Sequence, residues 1–388
     1  MRLETMADFK LLTEMFYNNI SSVEIPMSLE CNHRCAYCYI TDDYFKTKKV
    51  SLEEVKRIID ACVDFFPRFN QPGEVMIVPW GSEPMCNWEV VRDSLLYAFS
   101  LPVSSTIRTH WSTNGSICHQ DLIDFINTYS DRIKDIQISI DGNQNIHDYS
   151  RKLITGQSSY QLVRRTLETI YRECPNFIDR ITYKATLYPE QLELSHYDQA
   201  VEFFLTEMKL TVDPVTLVTD RPYTPNQIKS LRKSFDVLKQ KWDKIKKVNE
   251  KAEIGYFHSI KNNIRKTHCS ACTTSVAVDL DGSIQPCHGS ITTTSFYKTT
   301  YRIGNVLTKT IDEKGLVAAL CFKYNNLLYR RPLCRNCIVY HTYYDLCYNC
   351  PYEALVASSS SFLPPLSVCE IRRVIIEKYL EWKKDGLL

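Results

Sequence analysis

The chain of 388 residues is long enough for one large domain and a smaller one, and its 44% hydrophobic and 24% charged content is that of an ordinary globular protein. A formal net charge of +2 argues against a strongly electrostatic nucleic-acid binder. No run reaches the roughly 18 apolar residues that span a bilayer, and Met1 to Asn19 lacks an apolar signal-peptide core, so a cytoplasmic protein without membrane attachment is expected. The 16 cysteines cluster in C-x2-C and C-x3-C spacings, which suits metal ligation in a reducing compartment better than a disulfide framework.

Short β-branched runs predict strands at Val23–Ser28, Glu74–Pro79, Thr106–Ser112, Asp135–Ile140, Arg180–Leu187 and Val215–Thr219. Helical periodicity falls between them, at about 51–66, 87–100, 119–130, 158–173 and 196–208, with a sixth helix at 226–249. Ser51-Leu-Glu-Glu54 reads as a capping box, and Leu52, Val55, Ile58, Ile59, Val63 and Phe66 line one face of the helix it opens, with Cys62 beside them as a core residue. Thr224-Pro225-Asn226-Gln227 is a second capping box, and the basic face of the helix it starts reads as a solvated side. Six βα units in succession imply a parallel α/β sheet with right-handed crossovers, either an open doubly wound sheet or a partial barrel. A last amphipathic helix is expected over about Ser367–Lys384, and Ser358–Ser361 is a short low-complexity loop.

The chemistry-bearing residues sit where strands end. Cys31-Asn32-His33-Arg34-Cys35-Ala36-Tyr37-Cys38 follows the first strand, and three thiolates at this spacing hold three corners of a four-iron cluster with one iron left open. A zinc site closed by a distant fourth ligand is the alternative, and it would make the chain a zinc-bound scaffold or binding protein. Trp80-Gly81-Ser82-Glu83-Pro84 follows the second strand, Ser112-Thr113-Asn114-Gly115 ends the third, and Ser139-Ile140-Asp141-Gly142 ends the fourth. His147-Asp148-Tyr149-Ser150-Arg151 comes next, then Thr155-Gly156-Gln157-Ser158. The tail holds Cys269, Cys272, Cys287, Cys334, Cys337, Cys347, Cys350 and Cys369, eight thiolates that suit two four-ligand iron–sulfur clusters or two or more zinc sites.

These motifs, in this order, resemble those of the radical S-adenosylmethionine (SAM) enzymes. The resemblance implies a (β/α)6 partial TIM barrel whose active site lies at the C-terminal ends of the strands. It implies that the open iron of the Cys31/Cys35/Cys38 cluster chelates SAM, and that one electron splits SAM to a 5′-deoxyadenosyl radical. By the same resemblance Gly81, Ser82 and Glu83 match the GGEP motif that binds the SAM amino group, with Ser82 in place of the second glycine. Asn114 and Ser139 would line the SAM pocket, Arg151 would meet the SAM carboxylate, and Tyr37 would pack near the adenine.

The tail resembles the SPASM extension that carries auxiliary clusters. Cys272, Gly282 and Cys287 fit its first half, with a hairpin turn at Asp281-Gly282 and a following Ile303-Gly-Asn-Val306. The second half departs, since nine residues rather than five separate Cys337 from Cys347, and two rather than three separate Cys347 from Cys350. The family's pairing assigns Cys269, Cys272, Cys287 and Cys350 to one auxiliary [4Fe-4S] cluster and Cys334, Cys337, Cys347 and Cys369 to the other, three clusters in all. Cys62, Cys86, Cys118, Cys174 and Cys321 remain unassigned. The division along the chain is then an N-terminal segment at 1–22, the barrel at 23–225, a linking helix and connector at 226–264, and the SPASM domain at 265–388.

The resemblance further implies a peptide or protein substrate and a maturase that cross-links or oxidises a side chain of a ribosomally made peptide. A low-potential donor such as a flavodoxin or ferredoxin would supply electrons. Sulfatase-type formylglycine formation and a small-molecule SPASM dehydrogenase are the alternatives. Sulfatase-maturing relatives carry an acidic base after the cysteine matching Cys287, where this chain has His288, which weighs against the sulfatase reading, although a histidine is still able to take a proton near neutral pH. Only about 22 residues precede the first strand, too few for a leader-recognition domain, so a separate leader-binding protein or the barrel and SPASM surfaces would serve.

Overall fold

The computed structural model describes residues 6–40, 49–262, 269–291, 295–328, 334, 336, 337, 339 and 365–388. Cys347, Cys350 and the Ser358–Ser361 loop lie outside the described residues. The strands in chain order are β1 (Ser22–Ser28), β2 (His33–Cys35), β3 (Glu74–Gly81), β4 (Thr106–Thr113), β5 (Ile133–Ser139), β6 (Arg151–Leu153), β7 (Ile181–Leu187), β8 (Val215–Leu217), β9 (Ser275–Val278), β10 (Ser283–Gln285), β11 (Gly304–Asn305) and β12 (Thr310–Ile311). The six long-range strands expected from the sequence are β1, β3, β4, β5, β7 and β8.

The described chain forms two compact units that interleave along the sequence. One comprises residues 1–139, 151–182 and 270–321, the other residues 140–150, 183–269 and 322–388. The cysteine-rich segment is therefore shared between them.

In the first unit the sheet order runs β12-β11-β10-β9-β1-β3-β4-β5. Strands β9, β1, β3, β4 and β5 run parallel to one another, and β10, β11 and β12 extend the sheet beyond β9 in antiparallel pairs. Central strands of a covered parallel sheet must be apolar on the helix side, and Val23, Ile25 and Met27 on β1 are fully buried. The helix Leu52–Phe65 covers this layer with Val55, Ile58, Ile59, Cys62 and Phe65, and Ser51 and Glu54 form its capping box as the sequence predicts. The hairpin of β9 and β10 turns at Gly282, whose φ of +82° suits glycine. A helix not expected from the sequence, Met6–Asn19, precedes β1.

In the second unit β7 and β8 pair in parallel. The helix Pro225–Val248, opened by the Thr224 capping box, lies against the C-terminal helix Leu366–Lys384. Their seam is aromatic: Trp382, fully buried, packs edge-on to Trp242 at 5.1 Å and to Phe257 at 5.3 Å. Part of the basic face is paired, with Arg232 on Glu377, Lys239 on Glu381 and Asp385, and Lys241 on Glu202. Exposed pairs of this kind contribute about 0–1 kcal/mol each, so the aromatic seam dominates. Among the described residues no helix is long and apolar enough to cross a membrane.

Candidate active site

The site is built in the first unit, where β1, β3 and β4 end. The loop after β3 folds onto the end of β1: Ser82 N–H donates to Ser28 O (2.8 Å), Ser82 Oγ to Leu29 O (3.1 Å) and Glu83 N–H to Glu30 O (3.0 Å). Gly81 makes this approach possible. Its φ is +142°, and a Cβ there would stand 1.7 Å from Ser28 O.

Glu83 is buried at the centre of three loops. Its carboxylate accepts from Thr113 Oγ1 (2.6 Å), from Asn114 N–H (2.6 Å) and from Met85 N–H (3.1 Å). Burial pushes its pKa above the ordinary range, while these donors and Arg151 pull it back. The carboxylate thus ties the loop after β3 to the loop after β4.

The cysteine loop is held from two sides. Strand β2 pairs antiparallel with β6, setting His33 opposite Leu153, Arg34 opposite Lys152 and Cys35 opposite Arg151. Ile154 N–H extends the ladder to Asn32 O (2.9 Å). Arg151, buried, donates to the Tyr37 hydroxyl and sets its guanidinium 5.7 Å from the centre of the Tyr37 ring. On the other side Asn32 and His33 reach Asn114 and Ser116 after β4. Ser139, the last residue of β5, is half-buried.

The sulfur chemistry of the loop fits an iron–sulfur cluster. Its donors are three soft thiols, with Cys31 and Cys35 half-buried and Cys38 exposed. His33 N–H donates to Cys31 Sγ (3.4 Å). Burial pushes the Cys31 thiol up to about 12, with Glu83, Cys35 and Cys86 adding to the rise, so a metal entering here must displace its proton. Among the described residues no three His, Cys, Asp or Glu side chains already stand grouped as a metal-holding set, so the fit rests on this donor chemistry.

A second feature was not legible in the motifs. His288 donates to Glu24 of β1 from its backbone N–H (3.2 Å) and from Nδ1 (2.7 Å). Burial opposes a charged ring, but the Glu24 carboxylate outweighs it and holds the imidazole above its ordinary pKa, while His288 holds Glu24 below its own. Trp80 stacks on the ring at 5.4 Å and 24°, and Tyr39 lies 6.2 Å away. The segment after Cys287 thereby meets the residue after Cys38.

The auxiliary candidates divide between the units. Cys272 and Cys287 belong to the first and Cys269 to the second, where Cys334, Cys337 and Cys369 also lie. Cys337 N–H donates to Cys334 O (3.2 Å), and Arg373 donates to Cys337 Sγ (4.0 Å) and senses the charge of Cys369. Arg373 thus stands beside the Cys334–Cys337 turn. Of the unassigned cysteines, Cys62 and Cys174 are buried, and Cys86 reaches Asn32 Oδ1 at 3.9 Å.

Residues 25–194 match the Radical SAM superfamily. The chain carries a radical SAM domain. Members of this superfamily are enzymes that bind SAM and a four-iron cluster. Among solved structures, a histidine-tagged anSMEcpe with bound AdoMet, an anaerobic sulfatase-maturing enzyme, is similar at a TM-score of 0.66 and 17% identity, over 94% of this chain and 93% of that one. Native anSMEcpe with bound AdoMet and Cp18Cys peptide is similar at 0.65 and 16%, over 94% and 97%. Streptococcus suis SuiB bound to precursor peptide SuiA aligns at 0.46 and 13%, over 85% and 80%. The likeness to anSMEcpe shows a shared fold over 94% of this chain. No curated protein matches the sequence.

Proposed function

We propose that this radical SAM enzyme matures a peptide or protein, oxidising or cross-linking a side chain. The observation that carries the chemistry is the meeting of four motif segments in one unit: the cysteine loop, the Glu83 loop, the Asn114 loop and the Arg151 strand. The fold shared over nearly the whole chain with a protein crystallised with a peptide supports the substrate class.

Cys31, Cys35 and Cys38 would hold the SAM-binding cluster. When bound, the cluster and SAM together supply a 5′-deoxyadenosyl radical that takes hydrogen from the substrate. Gly81 and Ser82 bring backbone close to the pocket, Arg151 and Tyr37 form one wall, and Ser139 stands at the end of β5. Glu83 and Asn114 act in this reading as the frame that fixes those walls. Cys269, Cys272, Cys287 and Cys350, and Cys334, Cys337, Cys347 and Cys369, would hold two auxiliary clusters.

The Glu24–His288 pair favours a second reading, sulfatase-type oxidation of a Cys or Ser side chain. Where the sulfatase-maturing pattern has an acidic residue after the cysteine, His288 here brings the Glu24 carboxylate into contact from β1.

Anaerobic reconstitution tests both. Iron and sulfide near about 12 per chain, falling to about 8 when Cys31, Cys35 and Cys38 are replaced by Ala, would support one open and two auxiliary clusters. Zinc alone would overturn the reading. Cleavage of SAM to 5′-deoxyadenosine with peptides then separates the outcomes: an aldehyde product favours sulfatase-type oxidation, and a loss of two hydrogens with a new bond favours cross-linking.

A further inference from the structure

Three side chains beside the cysteine loop close a ring of hydrogen bonds. Asn32 Nδ2 donates to Ser116 Oγ (2.9 Å), Ser116 Oγ donates to Asn114 Oδ1 (2.7 Å), and Asn114 Nδ2 donates back to Asn32 Oδ1 (2.8 Å). Each member donates once and accepts once around the circuit. Such head-to-tail arrangements polarise one another and strengthen together. Asn114 and Ser116 are buried, so water does not compete at that end.

A fourth side chain completes the hub. A hydroxyl has one proton and two lone pairs. Ser116 spends its proton on Asn114, one lone pair on Asn32, and the other on His33 Nε2 (2.9 Å). His33 must then carry its proton on Nε2. The Ser116 backbone N–H also donates to Asn114 Oδ1 (2.9 Å), so the serine is fixed to its own loop before it holds the other. On the far side, Asn114 N–H is anchored on Glu83.

The two residues gripped from the cysteine loop, Asn32 and His33, lie directly between Cys31 and Cys35. His33 N–H points to Cys31 Sγ (3.4 Å), so the position of the ring bears on the orientation of the first thiol. Outer contacts of this kind orient metal ligands and tune what they hold.

We propose that Ser116 is a positioning residue: through the Asn32–Ser116–Asn114 ring and His33 it sets the Cys31–Cys35 segment in a ligand-ready conformation before the metal arrives. The inference rests on the assignment of Cys31, Cys35 and Cys38 as cluster ligands, and it gives Asn114 a framing role in place of a direct side-chain contact with SAM. Loss of the Ser116 hydroxyl strands the Asn32 and His33 donors and leaves Asn114 Oδ1 with only the Ser116 backbone N–H. Threonine keeps the hydroxyl.

The test compares the wild-type chain with Ser116→Ala, Ser116→Thr, Asn32→Asp and the triple Cys31/Cys35/Cys38→Ala variant, all full length and reconstituted anaerobically. Iron and sulfide are assayed, and electron paramagnetic resonance of the dithionite-reduced protein is recorded with and without SAM. Ser116→Ala is expected to load about 4 fewer irons, or to keep them and lose the SAM-induced change in the spectrum, with Ser116→Thr restoring both. Asn32→Asp keeps the acceptor and removes the donor, and is expected to reproduce the Ser116→Ala spectrum should Ser116→Ala fail to fold by circular dichroism. Wild-type iron and a wild-type SAM response in both Ser116→Ala and Asn32→Asp would overturn the proposal while the triple variant still loses about 4 irons. A triple variant that keeps all its iron would overturn the ligand assignment itself, and the proposal with it.

Discussion

Cys35 and Arg151 are register partners across the β2–β6 ribbon, although 115 residues separate them in the chain. A cluster-ligand candidate and a SAM-carboxylate candidate are thereby fixed by one backbone ladder, and the Arg151 guanidinium turns onto Tyr37 within the same loop.

Arg151→Lys removes the planar fork and its stacking while keeping the charge, and Arg151→Ala removes both. SAM affinity, measured by anaerobic equilibrium dialysis on the reconstituted protein, is expected to fall about tenfold in the Lys variant and further in the Ala variant. Unchanged affinity in Arg151→Ala would remove Arg151 from the pocket wall.

Glu24 gives His288 one oxygen for two donors. Glu24→Ala takes that oxygen away, whereas Glu24→Gln retains one. With an active peptide in hand, the ratio of modified peptide to 5′-deoxyadenosine is expected to drop about tenfold in the Ala variant and to recover in part in the Gln variant. Equal ratios in all three proteins would show the pair to be packing alone.

Gly81 cannot carry a side chain without moving the end of β1. Gly81→Ala is expected to cost about 3 kcal/mol or more, because a positive φ and a backbone clash coincide there. Chemical denaturation of the metal-free chain reads this directly. Gly156, with a positive φ and open space around it, is the matched control, and Gly156→Ala should cost markedly less.

Asp213 supplies a pH-dependent contribution away from the candidate metal ligands. Burial pushes its pKa from 3.8 up to about 6, against the pull of the Gly255 and Val215 N–H groups it accepts. Between those values the folded chain binds more protons at this site than the unfolded chain. Its contribution is therefore fully present below pH 3.8 and is lost as pH rises through 6. Relative to wild type, Asp213→Asn should gain about 2 kcal/mol between pH 4.5 and pH 7.5, as followed by denaturation at both pH values. A pH-independent difference would refute this.

Local pattern was enough to locate β1, β3, β4, β5, β7 and β8 and the capped helices between them, because a strand's alternation and a helix's cap are properties of neighbouring residues. The β9–β10 hairpin was legible for the same reason, through Asp281-Gly282. The β2–β6 ribbon was not, since each strand has three residues and neither carries a periodicity. Glu24 was hidden in another way. A lone acid in an apolar strand reads as the strand's other face, and its partner lies 264 positions further along the chain. Asn32 and His33 were visible only as the spacers of a cysteine motif. Ser116, one residue past Ser-Thr-Asn-Gly, had no signal apart from its nearness to that motif.

Strand β1 is flanked by β3 on one side and by β9 on the other, both parallel to it. The first neighbour follows early in synthesis, and the second is not made until Val278 is in place. During that interval β1 presents a bare hydrogen-bonding edge directly below the cysteine loop, open to any extended chain. Closing the pair late is slow, because a long stretch of polypeptide must be drawn in first. The nascent protein is thus most open to mispairing at the strand that leads into its cysteine loop, and chains interrupted before the tail is complete should aggregate through that edge.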